Sequence, residues 1–285
     1  MAVSNSLTKQ AQKPKFTAVI NSEGYRRMIC NTLGDTQKAS RFVTAVTSAV
    51  SSNPALQECD AGTIVAAGLL GEGLALSPSP QLGQYYLVPF NDNKNNRKVA
   101  QFQLGYKGYI QLAIRSGQYK KLNVLPIKEG ELIRFDPLEE EIEVRLIDDE
   151  VQRENAQTTG YYAMFEYTNG FKKAMYWSRE KMQSHAEKYS KGYAAHKGHT
   201  FWEKDFDGMA CKTMLRQLIS KWGIMSIDMQ TAMTNDMGVI HEDGSVDHVD
   251  MISVQSVQPA EDIPENTERE QETKEQADFN AIMGG

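Results

Sequence analysis

The chain has few of the residues that covalent chemistry and an extracellular life require. It holds three cysteines in 285 residues, Cys30, Cys59 and Cys211. An odd number cannot make a fully paired disulfide framework, and no two stand at zinc-ligand spacing. Three reduced thiols in a cytosolic protein are expected. No apolar run reaches the roughly 18 residues of a membrane span. The longest, 63–76, is interrupted by Glu72 and three glycines. The first residues are polar and lack a secretory pattern, so the cytosol is the expected compartment. A glycine-rich phosphate loop ending in Lys-Ser/Thr is also missing. Gly71-Glu72-Gly73 has neither the further glycine nor the preceding strand of a nucleotide fingerprint. ATP-driven chemistry is therefore not expected, and no cofactor is. His185, His196 and His199 suggest a metal, but His196 and His199 lie in a loop with no cysteine nearby, so a metal site is not expected there.

What is present is an uneven distribution of charge. Residues 1–222 carry 29 Lys+Arg against 23 Asp+Glu, a net of +6; residues 223–285 carry 2 against 14, a net of −12; together they give the −6 of the whole. A basic body with an acidic tail points to a polyanion as the body's partner. Hydrophobic residues make up 40%, enough for a sizeable core.

Residues 1–15 are polar without period and read as a disordered arm. Helices are expected over 16–33, 35–52 and 62–74, the second from Ala39, Phe42, Val43, Val46 and Val50 at helical spacing. Asn53-Pro54 reads as a cap followed by proline at the first helical position. Strands are expected over 84–90 and 98–104, then a helix from Tyr106 to Ser116. Further strands fall at 120–127, 131–135, 142–146, 160–167 and 171–177; Asn169-Gly170 between the last two is a strong hairpin signal. Ser178 should cap a helix to about Tyr189, and one long helix should run from Thr200 to Trp222. From 236 onward the composition is acidic and poor in aromatics, and reads as a disordered tail. The expectation is one α+β domain over 16–235, with a small antiparallel sheet packed on helices.

Two helices carry the functional reading. On the first, Tyr106, Ile110, Ala113 and Ile114 share one side, while Lys107, Gln111 and Arg115 form a row at i, i+4 and i+8. A cation, an amide and a cation in line suit phosphate oxygens and base edges. Gly108 beside that row leaves room for a ligand backbone to approach. On the long helix, Cys211, Leu215, Leu218 and Trp222 make an apolar face; Trp202, Phe206, Met209, Lys212 and Arg216 lie roughly opposite. Aromatics followed by cations can stack bases and hold a backbone, although Trp202 and Phe206 equally suit a core. Lys221 lies off the row.

The run from Gln101 to Gly117, QFQLGYKGYIQLAIRSG, resembles the signature of the RecT family of phage and prophage single-strand annealing proteins. So do Gln84 to Phe90, Gly73 to Pro78, and Lys212 to Gly223; together the resemblance covers about residues 30 to 230. It implies a Rad52-like annealing core, a small sheet on helices with a basic DNA groove. It implies binding of single-stranded DNA and ATP-independent annealing in phage homologous recombination. It further implies assembly into rings or helical filaments, a phage 5′→3′ exonuclease as partner, and the cytoplasm of a bacterial host. An annealing protein must hold the backbone and leave base edges free, so that pairing itself supplies the specificity. Lys107, Arg115, Lys212 and Arg216 are the expected backbone contacts, with Gln101, Gln103, Gln111 and Lys221 secondary. Tyr106 and Tyr109 are candidates for stacking or for packing.

Residues 129–154 hold 11 acids and 3 bases, which would repel DNA. They read as an exposed hairpin, with Glu139, Glu140 and Glu141 facing a basic neighbour in an oligomer, rather than as a nuclease site. The loop with His196 and His199 reads as solvated or DNA-facing. The acidic tail is a candidate shield for the groove, a contact for a host single-strand-binding protein, or an inert solubilising segment. A passive single-strand-binding module remains the alternative to annealing; a nuclease and a structural phage protein fit the residues less well.

Overall fold

A computed structural model describes residues 14–92, 95–198 and 200–248. Most of the expected arm, and the tail from 249 onward, lie outside them.

The N-terminal third is helical. α1 (Phe16–Ile20) and α2 (Glu23–Leu33) divide the single helix expected there, because Asn21 and Ser22 interrupt it and Ser22 takes the N-cap position of α2. Gly34 closes α2 at φ +65°, a conformation that favours glycine. α3 (Thr36–Ser52) starts on Asp35, whose carboxylate accepts from the Gln37 and Lys38 amides. Its buried stripe is Ala39, Phe42, Val46, Ala49 and Val50, as the spacing predicts. Pro54–Glu58 forms a 3-10 turn, and α4 (Ala61–Gly73) follows, with Asp60 as N-cap.

The remainder mixes strands and helices. β1 (Tyr85–Asp92) and β2 (Arg97–Leu104) pair antiparallel and lead into α5 (Tyr106–Arg115). Then come β3 (Tyr119–Lys128), β4 (Leu132–Asp136), β5 (Glu141–Val144), α6 (Glu150–Asn155), β6 (Thr158–Tyr167) and β7 (Lys172–Ser178). α7 (Arg179–Tyr189) is capped by Ser178, and the short α8 (Lys191–Ala194) follows. The long helix expected from Thr200 is two: α9 (Phe201–Lys204) and α10 (Phe206–Trp222). Asp205 breaks it by turning its carboxylate onto the Gly208 amide and capping α10. α11 (Ile227–Asn235), β8 (Gly238–Ile240) and β9 (Val246–Asp247) complete the described chain.

The fold is α+β, with antiparallel pairing in every sheet among the described residues. One sheet has the order β1-β2-β8-β9, another β3-β6-β7, and β4-β5 is a separate hairpin. The ordered structure therefore passes the expected boundary at 235: β8 pairs with β2 through Gln101–Val239 and Phe102–Gly238.

Two hydrophobic cores result among the described residues. Tyr85, Leu87, Ala100, Phe102 and Leu104 turn one face of the first sheet onto α3, α4 and α5. Tyr161, Ala163, Phe165 and Tyr167 of β6 turn theirs onto α7 and α10. α10 belongs to both: Leu215 and Ile219 enter the first core, Ala210, Met214 and Leu218 the second. Burying each Leu or Met there contributes about 1.5–3 kcal/mol, which fixes α10 in rotation. Trp202 joins the second core against Phe206, ring centroids 5.1 Å apart, so it packs rather than presenting a stacking surface.

Candidate nucleic-acid interface

α5 sits flush on the entry to β1 because its first turn is built on glycine. The Gly105 amide donates to the Gln84 carbonyl at 2.8 Å. A Cβ on Gly105 would run into Gly83 and Gln84; one on Gly108 would run into the Gln84 carbonyl and the Leu104 side chain. The space at Gly108 thus receives the protein's own backbone, not a ligand's. The seating also sets the faces of α5. Tyr109, Leu112 and Ala113 are buried, whereas Ile114, expected on the apolar side, is exposed. Lys107, Gln111 and Arg115 are all exposed. Arg115 also donates to the Leu74 carbonyl at the end of α4, as a cation suited to a helix C-terminus does.

Behind α5 lies a buried polar junction. The Asp236 carboxylate is fully enclosed. It accepts from the Leu104 amide at 2.9 Å, the Tyr109 hydroxyl at 3.2 Å, Lys212 Nζ at 3.1 Å and Arg216 at 2.8 Å. One side chain therefore ties β2, α5 and α10 together. Lys212, expected at the DNA surface, is only 7% exposed here. Burial pulls its ammonium pKa down, and Asp236 opposes that. Tyr109 is wholly buried; desolvation, then the Asp236 charge, pushes its hydroxyl well above the usual phenol range. Gln101 is interior too, donating to the Met237 carbonyl and accepting from Gln103 Nε2 at 2.8 Å. Arg216 keeps part of its side chain in contact with solvent. Asp236 itself escaped the sequence reading because it falls in the stretch assigned to the acidic tail. The apolar Gly238-Val239-Ile240 just after it was the available signal.

The second face of the β1–β2 hairpin is more open. Tyr85 and Leu87 point to the core, so Tyr86, Val88 and Phe90 line the opposite face, all half-buried. Gln103 stands directly across from Tyr86 in the register and shares that face. The Phe201 ring, itself exposed, lies 6.0 Å from the Tyr86 ring. Gly83 lets the Tyr86 hydroxyl and the Lys107 stem close over one spot; its Cβ would meet them at 3.1 and 3.4 Å. Burial, then Tyr106 and Asp205, raises the Tyr86 pKa, so the phenol stays neutral and can donate. Two rings, an amide and a cation thus converge: Tyr86, Phe201, Gln103 and Lys107. Tyr106 is half-buried beside them and packs on the first core. Neither Tyr86 nor Phe201 was singled out from sequence; the alternation Tyr86, Val88, Phe90 was the legible sign.

Lys221 is elsewhere, 5.2 Å from the centroid of the Trp222 ring. The acidic hairpin β4–β5 is held to β7 by a Glu140–Lys173 ion pair and by Phe135 against Tyr176. Among the described residues no cluster of His, Cys, Asp and Glu could hold a metal ion, and no helix is long and apolar enough to cross a membrane.

Comparison with known proteins places these segments in a family. The family described as RecT family matches residues 40–250. The chain is 37% identical over 242 residues to the uncharacterized protein YqaK of Bacillus subtilis (strain 168), covering 85% of this chain and 77% of that protein. It is 30% identical over 219 residues to Protein RecT of Escherichia coli (strain K12), covering 76% of this chain and 78% of that one.

Proposed function

The chain belongs to the RecT family, and from that premise we propose that it binds single-stranded DNA and anneals it to a complementary strand without ATP. The observation that carries the reading is the convergence of Tyr86, Phe201, Gln103 and Lys107 at the exposed start of the α5 row. Stacking on rings is indifferent to base identity, and cations hold phosphates. Together they bind a strand without reading it, leaving pairing edges available. Lys107, Gln111 and Arg115 follow the backbone along α5, with Arg216 and Gln103 as flanking contacts. Lys212 and Tyr109 act through the Asp236 junction, by holding α5 and α10 in place, and Gln101 supports it through the neighbouring Met237 carbonyl. In this reading the face formed by these elements does the work of the groove in a Rad52-like annealing core. The protein works as a ring or filament of identical subunits in phage-type homologous recombination. A 5′→3′ exonuclease supplies its strand, and a host single-strand-binding protein is a further partner.

The test follows two complementary labelled oligonucleotides by energy transfer, with and without protein and with no nucleotide present. Accelerated pairing that ends in a protein-bound duplex is expected. Tight capture of each single strand with slowed pairing would overturn annealing in favour of a passive binding module.

A further inference from the structure

The end of the β3-β6-β7 sheet carries a second concentration of cations and rings, distinct from the α5 row. Glu166 on β6 stands opposite Lys121 of β3 and Lys172 of β7 in the register. Its carboxylate, only 5% exposed, lies 2.8 Å from Lys120 Nζ, 3.5 Å from Lys172 Nζ and 3.9 Å from Lys121 Nζ. One ammonium neutralises one carboxylate. Here three converge, each more than half exposed. Two ammonium charges exceed that of Glu166 at this point; Lys172 also lines a hollow with Glu140, Glu141 and Glu143, so Lys120 and Lys121 are the pair most open to an external anion.

Exposed rings lie at the same end of the sheet, on the face that carries Phe165 and Tyr167. Phe171, at the β6–β7 turn, stacks on Tyr167 with centroids 5.9 Å apart. The Tyr167 hydroxyl donates to the Trp222 carbonyl, which brings the C-terminus of α10 to the same end. Trp222 is 40% exposed, and Lys173 lies 4.1 Å from its ring centroid. Lys221 shares that ring. A core function explains neither exposed rings nor surplus ammonium groups. Lysines interleaved with exposed aromatics form the composition of a sequence-indifferent nucleic-acid surface.

We infer that Lys120, Lys121 and Lys172, with Phe171 and Trp222 at the same end of the sheet, form a second DNA-binding surface that takes the phosphodiester backbone of the incoming strand. This rests on the annealing function proposed above. Tyr86, Phe201 and Lys107 lie at the N-terminal end of α5, and β3 begins four residues after its C-terminal end. At about 1.5 Å of rise per residue, the ten residues of α5 put about 15 Å between the ring-bearing end of the first surface and the lysines.

The experiment compares the full-length wild type with Lys120→Ala/Lys121→Ala/Lys172→Ala and with Glu166→Gln. It measures affinity for one labelled strand over a salt series, then the rate at which a complementary strand pairs with the loaded protein. The triple variant should keep first-strand affinity and salt slope while pairing at least fivefold more slowly. Glu166→Gln, which keeps the lysines and removes their counter-charge, should pair about twofold faster at low salt. It also keeps the test open should the triple variant not fold. Wild-type pairing rates in both variants would overturn the inference. So would a first-strand salt slope lower by about 2 in the triple variant, at about 0.7 per phosphate contact, because the lysines would then belong to the first strand's path. A changed size of the DNA-free assembly would show that the patch holds another copy of the chain. A wild type that does not accelerate pairing in the same assay would instead refute the annealing function itself.

Discussion

Replacing Asp236 with alanine should cost far more than an acidic residue near the end of a chain normally does. The carboxylate accepts four hydrogen bonds, two from cations. Its removal leaves Lys212 buried without a counter-charge, and truncating one partner of a buried pair costs about 3–5 kcal/mol. The Leu104 amide and the Tyr109 hydroxyl also lose their acceptor, at about 1–3 kcal/mol for a stranded buried donor. Arg216 offsets part of this, since it is partly exposed and can turn to water. The expected loss is about 4–6 kcal/mol. For a domain of this size that lowers the melting temperature by about 8–24 °C. Urea unfolding of the full chain, followed by tryptophan fluorescence, would measure it as a fall in midpoint at unchanged m. The charge argument makes a further demand. Lys212→Met combined with Asp236→Leu removes both members of the pair, so the double variant should be more stable than the sum of the singles by at least about 1.5 kcal/mol. A loss below about 1 kcal/mol for Asp236→Ala, or strict additivity in the double variant, would refute the junction as a coupled unit.

Three other outcomes follow from the same geometry. Gly108→Ala, which in an ordinary helix gains about 0.5–1 kcal/mol, should instead lose about 1–3 kcal/mol, because its Cβ meets the Gln84 carbonyl; the urea midpoint reads the sign. Lys107→Ala should flatten the salt dependence of single-strand binding by about 0.7, whereas Tyr86→Ala should lower affinity by about 1–3 kcal/mol at an unchanged slope, both read by anisotropy titration. Stability should fall as pH rises past 10. Desolvation raises the folded-state pKa of Tyr85, Tyr109 and Tyr161 above the ordinary phenol value of about 10. Between the unfolded and folded values the native state binds more protons, so stability present below pH 10 is lost above it, by up to about 1.4 kcal/mol per pH unit for each tyrosine. Unfolding midpoints from pH 8 to 11 that do not decline would reject this.

The sequence revealed local elements better than it revealed which residues face outward. Helical spacing found α3, and Ser178 marked the start of α7, because caps and apolar stripes are short-range signals. Hairpin β6–β7 was legible through Asn169-Gly170. The break at Asp205 was not: an aspartate within a helical pattern reveals its capping role only once the next element has a direction of its own. The same limit governed the site. Lys212 and Arg216 sit at i and i+4 on α10, which reads as a cationic stripe for a polyanion. What they meet instead is a single carboxylate, 24 and 20 residues further on. A helical period gives the relative orientation of side chains but not what covers them. Asp236 covers these two because β8 brings the end of the domain back against β2. The family motif around α5 therefore combines two tasks. Tyr109, with Gln101 just upstream and Lys212 on α10, holds the helix at a fixed angle through buried hydrogen bonds, and the glycines let it approach β1. Only once that angle is fixed do Lys107, Gln111 and Arg115 stand in one exposed row beside Tyr86 and Phe201. Buried charge in this motif is thus a positioning device, and the groups proposed to meet DNA are those the junction leaves outside.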